Sequence, residues 1–105
     1  MTVNEVELMD ALKSDNDEKV IQAAISLCRE FLFPSHKYSE AEFILLEAIG
    51  RQSNQDGYII QLLLAELYIN IGEISRAKRF LAQASKSSNE DVKKKADELQ
   101  LSIRD

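Results

Sequence analysis

At 105 residues the chain is long enough for one modest core and too short for two, and its 45% apolar and 30% charged residues exclude a disordered tail. Three glycines and one proline supply too few turn residues for a sandwich or a barrel, which leaves helices. The net charge of −5 is uneven, with −4 over residues 1–20, −3 over 21–72 and +2 over 73–105, where acids interleave with the bases. That interleaving excludes a basic face able to neutralise nucleic-acid phosphates. The lone Cys28 cannot form an internal disulfide, and no apolar run has the length of a signal peptide or a membrane span. A cytoplasmic location is the expectation.

In chain order, Thr2 and Glu5 have capping-box spacing, and Val6, Met9 and Leu12 mark a short helix with a narrow apolar stripe. The acidic turn 14–18 suits a helix N-terminus, whose partial positive charge favours carboxylates. A long helix is predicted over 17–33, stopped by Pro34, which disfavours a helical residue before it. Another follows over 38–49, with Gly50 as its C-terminal cap, and a polar loop spans 51–57. Further helices are predicted over 58–71, 73–87 and 89–103. The last carries Val92, Ala96, Leu99 and Ile103 on one stripe, and its "KKK" at 93–95 reads as a solvated face.

The chain repeats itself at a shift of 36 residues, which lays "YSEAEFILLEA" (38–48) over "ISRAKRFLAQA" (74–84). Ala41 falls on Ala77, Leu45 on Leu81 and Ala48 on Ala84, while in the preceding helices Ala24 falls on Ile60, Leu27 on Leu63, Cys28 on Leu64, Phe31 on Leu67 and Leu32 on Tyr68. The small residues lie two turns apart on one face, where a neighbouring helix can approach closely.

Within residues 58–91, Leu64, Ala65, Tyr68, Gly72, Ala77, Leu81 and Ala84 stand where tetratricopeptide repeats place their large, small, aromatic, turn-glycine, alanine, large and alanine positions. This stretch therefore resembles that family, departing from it at Gln61, in place of an aromatic, and at Asn89, in place of a proline. Residues 22–57 are similar in a degenerate way, with Tyr38, Ala41, Leu45 and Ala48 in place, Arg29 at the small position and His36 at the turn glycine. The two units cover 70 of 105 residues. The resemblance implies an all-α fold, a right-handed stack of antiparallel helix pairs with about six helices. It would form one domain made of an N-terminal helix (1–15), the two repeats and a C-terminal capping helix (89–104), because stacked repeats need their ends closed.

The helix over 58–71 is apolar nearly all round, with only Gln61, Glu66 and Asn70 polar, and such a helix is buried on nearly all sides. The resemblance implies that the first helix of each pair lines a concave groove, placing Ala23, Ser26, Glu30 and Phe33 of the first repeat and Ile59, Leu62, Glu66, Ile69 and Asn70 of the second in it. An apolar floor with two glutamates suits an amphipathic or extended peptide carrying a basic residue or two. The alternative is that Ile59, Leu62 and Phe33 are core beneath the terminal helices.

Other motifs carry less. "DNDE" at 15–18 lacks the glycine and closing glutamate of a calcium loop and reads as a helix start. His36 has no second histidine beside it, and Cys28 fills a large apolar position, so no metal ligand, cofactor or catalytic group is indicated. Family members that clamp a chaperone's C-terminal carboxylate use basic and amide side chains, and the matching places here hold Ser26, Glu30, Ile59 and Leu63, which disfavours that role. The expected function is a non-enzymatic protein-binding adaptor or small chaperone. The architecture, though no quotable motif, is similar to the small tetratricopeptide chaperones of bacterial type III secretion. The alternative is a structural scaffold in which the same surface makes a homodimer or larger assembly.

Overall fold

A computed structural model of the chain describes residues 5–51 and 56–103. They form six α-helices and no strand: α1 (Glu5–Ala11), α2 (Asp17–Leu27), α3 (Tyr38–Arg51), α4 (Asp56–Asn70), α5 (Ile74–Ala84) and α6 (Glu90–Ser102). The chain divides into two compact units, Met1–Gln52 with α1 to α3 and Ser53–Asp105 with α4 to α6. The Thr2 capping position and the loop around Asn54 lie outside the described residues.

In the N-terminal unit the acidic turn starts α2 as its composition requires. Asn16 is the N-cap, its side-chain oxygen accepting the Lys19 N–H at 3.2 Å, while Ser14 Oγ accepts the Asn16 N–H at 3.0 Å. Asp17 and Glu18 then occupy the first turn, where the helix dipole stabilises them. The helix predicted over 17–33 is α only as far as Leu27. It finishes in a π-helical turn, Cys28–Leu32, in which Phe33 N–H reaches the Cys28 carbonyl five residues back at 2.9 Å.

The chain leaves that turn through a left-handed residue. His36 has φ 58, its N–H bonds the Phe33 carbonyl at 3.0 Å, and Lys37 N–H bonds the Leu32 carbonyl at 2.8 Å. This is the Schellman pattern, which satisfies carbonyls that a helix end leaves over. The His36 ring also stays close to Tyr38, with Nδ1 3.0 Å from the Tyr38 hydroxyl, a local contact that holds a non-glycine residue at a position glycine would fill at less cost.

The expected end of α3 is corrected. Gly50 is not a cap, because the helix runs through it to Arg51 with no left-handed residue there. The guanidinium of Arg51 reaches both the Ser14 carbonyl oxygen and Asp17 Oδ1 at 3.3 Å, tying the last turn of α3 to the start of α2. That tether gives the final turn a reason to stay helical despite its glycine.

The C-terminal unit repeats the device. Gly72 has φ 84, its N–H bonds the Ile69 carbonyl at 3.2 Å and Glu73 N–H bonds the Tyr68 carbonyl at 2.8 Å. These are the bonds of the first unit displaced by 36 residues, and α3 and α5 begin with the same offset, at Tyr38 and Ile74. On α5, Ala77, Leu81 and Ala84 are fully buried at helical spacing, and most of the other side chains face water. Tyr68 stacks on Phe80 with ring centroids 5.6 Å apart, and the Arg76 guanidinium lies 5.8 Å from the centre of the Tyr68 ring.

α5 ends at Ala84, earlier than the expected 87, in a turn closed by Lys86 N–H to the Gln83 carbonyl and Ser87 N–H to the Ala84 carbonyl. Ser87 is buried, and its hydroxyl accepts the Asn89 N–H at 3.0 Å. Asn89 then caps α6, accepting the Asp91 and Val92 N–H groups at 2.9 and 3.3 Å. Asn89 is thus the residue that starts the last helix. From α6, Val92 and Ala96 enter a core with Leu62, Ala65, Leu81 and Ala84, while Tyr58, Ile59, Ile69, Phe80, Leu99 and Ile103 pack around it.

Candidate protein-binding surface

The nine residues expected to line a groove divide between the units, and each unit places them differently. On α4, Leu62 is 4% exposed within the core that α5 and α6 complete, and Ile59 and Ile69 pack against the same cluster. A fully buried leucine stabilises its unit by ~1.5–3 kcal/mol, and here its own helices supply that burial. Leu62 is core and Ile59 borders it, while Phe33, the third residue of the core alternative, is half-buried in the other unit. Asn70 is exposed and spends its amide on the chain, Nδ2 donating to the Glu66 carbonyl at 2.8 Å, while the Glu66 side chain is half-buried.

In the N-terminal unit Ala23 is buried, Ser26 half-buried and Glu30 exposed, while Phe33 is half-buried with its ring centroid 6.1 Å from that of Tyr38. Ala23 and Ser26 meet Leu8, Ala11, Lys19 and Gln22 along an open cleft of about 610 Å³ where α1 passes α2. This face of α2 is therefore shared with the N-terminal helix, whose Val6 and Met9 remain 63% and 46% exposed.

Sequence reasoning missed a second surface of the same unit. Phe43 is 68% exposed and Leu46 46% exposed on the outer face of α3. Against Phe43 is a smaller hollow of about 160 Å³, lined also by Leu12, Val20, Ile44, Glu47 and Arg51. Glu40 and Glu47 stand one turn before and one turn after Phe43, both exposed, so acids bracket the aromatic ring on its own helix face. Arg51, the base of that helix, is engaged with Ser14 and Asp17.

Cys28 is fully buried, and burial pushes its thiol up to about 12, because the surrounding apolar groups disfavour a thiolate. Its place is in the packed core of the N-terminal unit. Among the described residues no three His, Cys, Asp or Glu side chains gather to hold a metal ion, and no helix is long and apolar enough to cross a membrane. No protein-family model, curated protein or solved structure matches the chain.

Proposed function

We propose that this protein is a binding module without turnover, built of two tetratricopeptide-like helix pairs, that shields an apolar or amphipathic segment of a partner protein as an adaptor or small chaperone does. The observation that carries the reading is the set of large apolar side chains that the N-terminal unit leaves exposed. Val6, Met9, Phe43 and Leu46 stand in water there, although the same unit buries Leu27, Leu32 and Leu45 almost completely. An exposed apolar pair beside acids, as Phe43 and Leu46 are beside Glu40 and Glu47, is a common mark of a protein-interaction site. The internal repeat supports the same reading, since stacked helix pairs present extended surfaces to partners.

Light scattering coupled to size exclusion across a wide concentration range tests it, together with thermal melts in the presence of helical peptides that carry leucines on one face. A concentration-independent monomer whose melting temperature rises with added peptide is expected, because binding only the folded state stabilises it by mass action. A dimer whose melting temperature rises with its own concentration would replace the adaptor with a self-assembling scaffold.

A further inference from the structure

Laying α3 over α5 separates what the helix pair needs from what it does not. At the shift of 36 residues the inward positions agree, with Ala41, Leu45 and Ala48 buried in one unit and Ala77, Leu81 and Ala84 buried in the other. The outward positions disagree. Glu40 corresponds to Arg76, Phe43 to Arg79, Leu46 to Ala82 and Glu47 to Gln83. The second unit shows that this helix can fold with a basic outer face and no large apolar residue on it, so neither Phe43 nor Leu46 is there to make the pair fold.

We infer that the outer face of α3 is a docking site for an amphipathic helix of a partner protein that presents aliphatic side chains flanked by lysine or arginine. This deepens the proposed function and rests on it. The aliphatic requirement comes from the exposed Phe43 and Leu46 and from the 160 Å³ hollow against Phe43, which has room for one aliphatic side chain against Leu12, Val20 and Ile44. The basic requirement comes from Glu40 and Glu47, which bracket the ring and make no ion pair among the described residues, while Arg51 is already held by Asp17. Acids at the rim of an apolar anchor speed encounter with a basic partner and reject an acidic one, whereas the buried aromatic anchor supplies most of the affinity.

The test uses the full chain and two helical peptides that share one leucine face, their remaining positions lysine in one and glutamate in the other, titrated by calorimetry. The lysine peptide should bind and the glutamate peptide should not. Phe43→Arg, which copies the second unit's residue, should weaken the lysine peptide about tenfold or more, the usual effect at an anchor position. Its melting temperature should be unchanged. E40Q/E47Q should weaken binding less and flatten its dependence on salt.

Equal binding of the two peptides, or lysine-peptide binding indifferent to Phe43→Arg, overturns this site while leaving a binding module in place. Failure of both peptides to bind the wild-type chain overturns both readings. Self-association that Phe43→Arg dissolves overturns the proposed occupant, since a second copy then covers the face.

Discussion

The two units are alike where they face inward and different where they face out. The pairs α2–α3 and α4–α5 each join their two helices through a left-handed residue with the same pair of hydrogen bonds, at His36 in one and Gly72 in the other. α3 and α5 each bury an alanine, a leucine and an alanine. Yet α4 hides nearly all of its large side chains with the help of α6, whereas α3 leaves Phe43 and Leu46 in water. The difference teaches that packing fixes only one stripe of each helix, and that the remaining surface is free to carry a different task in each copy.

Breaking that comparison starts in the C-terminal core. Leu62→Glu should lower stability by on the order of 4 kcal/mol, since it removes a packed side chain and buries a charge without a partner. Phe43→Glu, on an exposed face, should stay within about 0.5 kcal/mol of wild type. Thermal melts followed by circular dichroism read both, and a stable Leu62→Glu variant would return that residue to a binding surface.

Next come the equivalent alanines. Ala41→Leu and Ala77→Leu should each cost ~1–3 kcal/mol by overpacking a close helix contact. A large loss at one and none at the other, in matched urea titrations, would deny that the two units share a register.

The turns offer a smaller and signed test. Gly72→Ala should destabilise by about 1–2 kcal/mol, because the left-handed backbone is strained for a residue with a Cβ although open space surrounds it. His36→Gly should change stability in the opposite direction by up to about 1 kcal/mol, reduced by the lost contact with Tyr38 and by the greater freedom of the unfolded chain.

The last effect is alkaline and grows with pH. The folded Cys28 thiol titrates at about 12 against an ordinary value of 9.0, so the stability it contributes is complete below pH 9 and is lost as pH rises from 9 towards 12. The slope is at most about 1.4 kcal/mol per pH unit. Comparing wild type with Cys28→Ala between pH 8 and 10 isolates it. The corresponding Leu64 has nothing to titrate, so the loss belongs to the N-terminal unit alone.

Much of this architecture is legible in the residues. The 36-residue shift, the small positions at 41, 48, 77 and 84, and the helix start at 14–18 all follow from spacing, because each places a side chain whose size or hydrogen bonding permits few alternatives. His36 falls on Gly72 at the 36-residue shift, and the structure puts a left-handed residue at both places. The π-helical turn at Cys28–Leu32 has no local composition to announce it. Gly50 has the identity of a cap but not the backbone, since Arg51 finds its partners in Ser14 and Asp17, at the start of α2, and carries the helix past it.

The candidate site was harder to read. A helix apolar all round, as α4 is, has no polar face to say which side is covered, so Leu62 suits a groove and a core equally until α6 is placed. Phe43 and Leu46 hide among apolar neighbours in "AEFILLEAI", where periodicity alone cannot choose the wet side. The signal that finds them is internal: Arg79 and Ala82 occupy the same places in the second copy.

Packing runs between close neighbours along the chain: α1 with α2, α2 with α3, α4 with α5, α5 with α6 and, across one intervening helix, α4 with α6. No strand has to wait for a distant partner, so the entropy of closing long loops barely opposes assembly. Chains with contacts this local reach the native state in roughly microseconds to milliseconds. The apolar face of α4 is thus covered by segments that leave the ribosome shortly after it, and the interval in which it could stick to another chain is short.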